Sequence, residues 1–267
     1  MSSVLTIWDQ IRANMTASGV PDKPRAMLRE YLQIKALDFL YSQKGSDKLS
    51  FIGGTSLRLL ANLPRFSEDL DFDNLGVDDK GVINLVRRIA TSFEAENIPV
   101  ELFENMQEGK TYFELRFPQL LKELGISTNP REKLMIKVDY SCQWKGQKIR
   151  TVLLRRLGVV QSIVTNNLDQ VLVEKLTAYI GRKNVQPRDM YDVVWLWGQG
   201  AKIDRDFVRL NKLDNLLGNV KSRLIQDPIT SEMKRKLAPF LFVARDEGKL
   251  DLFPQVIEML ENNNEEK

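Results

Sequence analysis

Apolar positions change period several times along the chain, and each change marks a predicted element. Between Pro24 and Gln43 they recur at Met27, Leu28, Tyr31, Leu32, Ile34, Leu37 and Leu40, mostly the spacing of a helix with one buried face. The stretch "KLSFIGG" (48–54) reads as a short strand that stops at a glycine turn. Helical spacing returns in "TSLRLLANLP" (55–64), where Thr55 is the expected N-cap and Pro64 the stop. In "EDLDFD" (68–73) acids alternate with Leu70 and Phe72, as in a half-buried strand, and "GVINLVRRIATSFEAENI" (81–98) is helical again. Three strand-like runs follow, "VELFEN", "TYFELRF" and "LMIKVDYS", separated by polar or glycine-bearing turns. From about residue 168 strand signals fade, and "LDQVLVEKLTAYIGRK", "PRDMYDVVWLWGQ" and "RDFVRLNKLDNLL" predict helices. The pattern thus predicts an α+β chain: a mixed lobe over residues 1–165 with N-terminal helices, then a mainly helical lobe over 166–267, joined near 160–167. The polar end "ENNNEEK" is expected to fray.

Composition narrows the chemistry. At 267 residues and 43% hydrophobic content the chain is long enough for one large domain or two ordinary ones, each with its own core. A net charge of +3 permits a nucleic-acid partner without demanding one. The single cysteine, Cys142, excludes an internal disulfide and fits a reducing compartment. The first residues lack a basic segment followed by an apolar run, and no apolar stretch approaches the roughly 18 residues of a membrane span, so a cytoplasmic protein without membrane contact is expected. Histidine is absent, which removes Ser-His-Asp and Cys-His triads, imidazole acid–base steps and histidine-held zinc. Catalysis in such a chain runs on carboxylates, lysines, arginines, hydroxyls or an oxygen-held metal, for which Mg²⁺ is suited.

One constellation stands out in that inventory. Asp69 and Asp71 are two apart on a predicted strand and share a face, while Leu70 and Phe72 turn inward. Asp139, on the strand predicted for "LMIKVDYS", offers a third carboxylate with Lys137 on its own face. Adjacent carboxylates repel unless a cation lies between them, and three acids from two strands suit two Mg²⁺ ions and a triphosphate. The turn Gly53-Gly54, opening a helix with Thr55 and Ser56, would present backbone N–H groups and hydroxyls to phosphate. The structural alternatives are an exposed strand face for the two acids, an ordinary turn for the glycines, and a strand-edge ion pair for Asp139 and Lys137. A calcium loop fits worse, because Asn74 stands where glycine is needed and Lys80 where the closing Glu belongs.

The stretch "GGTSLRLLANLPRFSEDLDF" resembles the signature of nucleotidyltransferases of the DNA polymerase beta-like superfamily, most closely the AbiEii type of abortive-infection toxins. The resemblance covers roughly residues 50–200. It implies a mixed-sheet nucleotidyltransferase lobe followed by a mainly helical lobe that closes the cleft. It implies metal binding by Asp69, Asp71 and Asp139, and phosphate or substrate contacts from Gly53, Gly54, Thr55, Ser56, Arg65 and Lys137. The family's helical lobe bears a lysine and a basic-Asp-x-x-Asp motif, matched here by Lys175, Arg188, Asp189 and Asp192. Lys175 and Asp189 are thereby implied in catalysis with the three metal acids, and Arg188 and Asp192 in substrate binding. Gln186 departs from the family pattern, which often has arginine there. The activity implied is Mg²⁺-dependent transfer of a nucleoside monophosphate from an NTP to an acceptor hydroxyl. The implied acceptor is RNA such as the tRNA 3′ end, and the implied partner a cognate antitoxin. A small-molecule or protein acceptor, or an idle nucleotide-binding module, are the alternatives.

Read by spacing alone, Leu168, Leu172 and Tyr179 set Lys175 within an apolar stripe, where a lysine either runs along the core or reaches an anion in a cleft. Asp189 and Asp192 follow Pro187 and also suit the positive end of a helix dipole. Between Tyr140 and Leu168 lie Lys145, Lys148, Arg150, Arg155 and Arg156 and no acid, a pattern shared by an RNA phosphate track and by the solvated face of a hairpin. Trp195 and Trp197 are expected in the helical core.

Overall fold

The computed structural model describes residues 2–107 and 110–265, which divide into two compact units. The first comprises Met1–Asn62, Phe66–Cys142 and Thr151–Thr165, and the second Leu63–Arg65, Gln143–Arg150 and Asn166–Lys267.

The first unit begins with helices α1 (Ser3–Ala17) and α2 (Pro24–Tyr41). There follow β1 (Leu49–Ile52), α3 (Gly53–Ala61), β2 (Leu70–Asn74), α4 (Asp79–Ala95), β3 (Glu101–Gln107), β4 (Lys110–Phe117), a single turn α5 (Leu120–Glu123) and β5 (Leu134–Ser141). The five strands make one mixed sheet in the order β1-β2-β5-β4-β3, parallel only between β2 and β5. Strand alternation separates its two faces. Leu70, Phe72, Phe113, Leu115, Phe117, Ile136 and Val138 are buried, whereas Asp71, Lys137 and Asp139 alternate with them. The amphipathic stripe of α4, from Val82 through Val86 and Ile89 to Phe93, is buried with Leu28, Leu32 and Leu37 of α2. Phe93 meets Phe39 and Phe117 edge to face, at centroid distances of 5.0 and 5.1 Å. Asp78 caps α4, accepting from the Gly81 N–H at 2.8 Å.

Two further strands, β6 (Ile149–Arg156) and β7 (Val159–Asn166), form a separate two-stranded sheet, the hairpin reading of the basic stretch. Leu157 and Gly158 both take positive φ at its tip, as a two-residue hairpin turn of this hand requires.

The second unit is built from α6 (Leu168–Gly181), α7 (Pro187–Gly198), α8 (Arg205–Leu210), α9 (Leu216–Gln226), α10 (Ser231–Leu237) and α11 (Phe253–Glu265). Leu172, Leu176 and Tyr179 of α6, Met190, Val193 and Leu196 of α7, and Phe253 and Ile257 of α11 fill its core. Trp195 is half-buried, but Trp197 is 36% exposed because it lies in the last turn of α7, one residue from its end at Gly198. Helix α11 continues to Glu265 through most of the polar stretch that was expected to fray, and Glu266 and Lys267 lie outside the described residues.

Candidate functional site

The segment between β1 and β2 sets up the first cluster. Residue 53 sits at φ 78°, and a Cβ there would collide with the Asp71 carboxylate, so glycine is required twice over. The antiparallel register opposes Ile52 to Asp71, which brings the turn against that carboxylate. Helix α3 starts at Gly53, not Thr55, and no side chain caps it. Its first-turn N–H groups are therefore of the kind that bind anions. Thr55 and Ser56 are buried, and their hydroxyls donate to the carbonyls of Asp69 and Gly53 respectively. They thus tie the turn to the residue that precedes β2 and fix the place of Asp69. Gly54 is buried beneath the same turn.

Asp71 opposes Asp139 in register on the neighbouring parallel strand, which sets their side chains on one face about 4.8 Å apart in strand spacing. Asp69 immediately precedes β2, and its main-chain carbonyl accepts from the Thr55 hydroxyl. Lys137 makes an ion pair with Asp139 and lies over the Tyr112 ring at 4.7 Å. Asp73 continues the same alternation. It is 1% exposed and accepts from the Ser141 hydroxyl at 3.2 Å.

Fit to a metal can be judged from this donor set. Among the described residues no three metal-ligating side chains are grouped for an ion. Asp69 and Asp71 nevertheless supply the hard carboxylate oxygens that Mg²⁺ takes one or two at a time, completing its shell with water and substrate phosphate. The pair fits such an ion, while Asp139 is engaged by Lys137.

The remaining sequence-predicted residues form a second cluster within the second unit. Arg65 grips Asp192 in a two-point ion pair, Nε to Oδ1 at 2.7 Å and Nη2 to Oδ2 at 2.6 Å, and both side chains are buried. Lys175 Nζ lies 2.8 Å from Asp192 Oδ2 and 3.3 Å from Asp189 Oδ1, and Arg182 Nε is 2.7 Å from Asp189 Oδ2. Burial pulls the Lys175 and Arg65 pKa values down, but the two carboxylates outweigh it and hold both above their ordinary values. Burial likewise works against the Asp192 carboxylate, and Arg65 and Lys175 overcome it, leaving its pKa below the ordinary value. The apolar stripe read for Lys175 is present, but its ammonium holds two carboxylates, which places it in a positioning network. Arg188, next to Asp189 on α7, lies over the Phe240 ring at 4.5 Å.

Sequence reasoning missed three participants. Arg58, inside "SLRLL", makes a buried two-point ion pair with Glu30 at 2.8 and 2.9 Å, and nothing local marks Glu30, 28 residues away, as its partner. Arg182 was legible, since it follows Lys175 by two helical turns. Asp73 was visible as the next alternate acid after Asp71.

Residues 38–257 match the family model described as the nucleotidyl transferase AbiEii toxin of a type IV toxin–antitoxin system. Among solved structures, JHP933 from Helicobacter pylori is similar at 18% identity and a TM-score of 0.51, with 91% of this chain and 97% of that chain covered. A nucleotidyltransferase candidate from H. pylori is similar at 17% identity and a TM-score of 0.51, covering 90% of this chain and 98% of that one. At such identity these likenesses speak for a shared fold. A search of curated proteins found no match. With the family model spanning most of its length, the chain belongs to the AbiEii family of nucleotidyl transferase toxins.

Proposed function

We propose that this protein transfers a nucleoside monophosphate from an NTP to a hydroxyl of RNA, with the tRNA 3′ end as the preferred acceptor. In the same reading it is the toxin of a toxin–antitoxin pair and is restrained by a cognate antitoxin in the cytoplasm. The observation that carries the chemistry is the Gly53 turn lying against the Asp71 carboxylate at the start of the uncapped helix α3, with Asp139 paired in register with Asp71 and Asp69 just before the strand.

Each residue then has a task. Asp69 and Asp71 would hold Mg²⁺, which neutralises triphosphate charge when bound. The first-turn N–H groups of α3, at Gly53, Gly54 and Thr55, bind phosphate oxygens. Ser56 and the Thr55 hydroxyl keep that turn in shape. The acceptor oxygen attacks the α-phosphorus, its bond to the bridging oxygen breaks, and pyrophosphate leaves. Asp139, one strand over from Asp71, takes the proton of the attacking hydroxyl, and Lys137 holds it in position. Arg65, Lys175, Asp189 and Asp192 act as positioning residues, and Arg188 meets substrate phosphate.

Incubating the purified chain with each labelled NTP, Mg²⁺ and total RNA tests the reading. Label moving into the tRNA fraction supports it. Label appearing only on a protein or a small molecule would reassign the acceptor, and no transfer to any acceptor would leave a nucleotide-binding module.

A further inference from the structure

The hairpin β6–β7 carries a feature that the transfer reaction does not use. Among the described residues β6 has β7 as its sole strand neighbour, so its other edge offers main-chain N–H and C=O groups without a strand partner there. Along Thr151–Arg156 none of these groups bonds to backbone elsewhere among the described residues. Natural edges of this kind are guarded by proline, short length or charge; this strand has eight residues and no proline, and its charges are the arginines Arg150, Arg155 and Arg156. Its outer face is partly apolar, with Leu153 45% and Val160 65% exposed. Arg155, which the two-residue turn places across from Val160, makes no ion pair among the described residues. Beside the strand lies a cavity of about 580 Å³ whose lining mixes Leu59, Leu60 and Leu153 with Glu30, Asn62 and Arg155, of a size to receive side chains.

We infer that β6 is a docking edge for an extended, acidic segment of a partner protein, added as a third strand with its aliphatic side chains over Leu153 and toward the cavity. Charge selects the partner's sign, because β6 carries Arg150, Arg155 and Arg156 and no acidic residue. A second copy of this chain is disfavoured: pairing two β6 strands antiparallel about their centre sets Arg150 against Arg155 at both ends. Single-stranded RNA is disfavoured because the hairpin has no aromatic residue from Ile149 to Asn166 on which a base could stack. Occupancy would also be felt at α3. The Arg156 guanidinium donates to the carbonyls of Leu59 at 3.1 Å and Arg58 at 3.4 Å and to the Asn62 side chain, so the hairpin grips the far end of the helix that opens with the Gly53 turn.

The test uses the full chain and three probes: an alternating glutamate–valine octapeptide, the lysine–valine counterpart and an oligouridylate. Amide hydrogen exchange is followed at Thr151–Arg156, with binding measured by titration. The acidic peptide is expected to slow exchange there by at least about tenfold, and Arg155→Glu and, separately, Leu153→Glu to weaken its binding by about tenfold each. Both residues are exposed, and an unchanged circular dichroism spectrum certifies each variant's fold. The inference is overturned if the acidic peptide gives no protection, if the lysine peptide protects equally, if the edge becomes protected by self-association as protein concentration rises, or if only oligouridylate binds and Arg155→Glu abolishes it.

Discussion

Substituting Asp192 by Asn keeps the side chain's shape and removes one charge from the buried centre of an ion-pair network. Arg65 is 2% and Asp192 0% exposed, and Arg65, Lys175 and Arg182 share two carboxylates, Asp192 and Asp189. Three cations against two carboxylates leave a net charge of +1, and the substitution raises it to +2 with Arg65 deprived of its two-point partner. Removing one member of a buried ion pair costs about 3–5 kcal/mol, because the stranded charge keeps its desolvation penalty. For a chain of this size each kcal/mol lowers Tm by about 2–4 °C, so a fall of about 6–20 °C is expected. Lys175→Met behaves differently: Asp192 retains Arg65, Asp189 retains Arg182, and the charges balance, so a loss of only about 1–2 kcal/mol is expected. The pH dependence supplies a second check. The Asp192 pKa is depressed in the folded state below its ordinary 3.8, so its contribution is complete above that value and is lost as pH falls through the folded-state value. The Tm gap between wild type and Asp192→Asn is thus widest near neutral pH and narrows below about pH 4. Differential scanning calorimetry across pH measures both. A Tm for Asp192→Asn within about 2 °C of wild type, or a larger loss for Lys175→Met, would refute the assignment of Asp192 as the hub.

Other predictions are independent of that network. Gly53→Ala forces an unfavourable φ and a collision with Asp71, so stability should fall by about 1–3 kcal/mol and transfer more steeply; a variant with wild-type Tm and rate would sink the close approach. Glu30→Gln strands Arg58 in a buried position and should cost about 3–5 kcal/mol by denaturant unfolding, whereas a cost under about 1 kcal/mol would show that Arg58 finds another partner. Chelation with EDTA should abolish transfer and the thermal stabilisation given by NTP with Mg²⁺, and full transfer in EDTA would remove the metal from the reaction.

Most elements were legible because each obeys one period over its own length, but the run "RDFVRLNKLDNLL", read as helical throughout, breaks between α8 and α9 at residues 211–215. The α4 stripe, the alternation of Leu70 and Phe72 and the glycine stop after β1 need no tertiary information. Asp139 was read as a third carboxylate from a strand beside that of Asp71, but the exact β2–β5 register was not legible, since parallel strands far apart in sequence find each other through packing. Gly53-Gly54 could be read as a phosphate turn, but the collision that bars any Cβ at residue 53 depends on where Asp71 lies in space. Thr55 was misplaced as a cap because the helix starts two residues earlier, at a glycine whose positive φ no propensity scale favours. Lys175 was read correctly as inward-facing, but its partners were hidden: Asp189 and Asp192 come from the next helix, and Asp192 is shared with Arg65, which comes from far upstream.

The most direct measurement is single-turnover transfer from labelled NTP to tRNA by wild type, Asp69→Asn and Asp71→Asn, each shown by circular dichroism to be folded. Loss of one carboxylate from the pair that would hold Mg²⁺ should lower the rate by roughly a hundredfold or more while Tm stays within a few degrees. Transfer at the wild-type rate by either folded variant would contradict the placement of the active site on this face of the sheet.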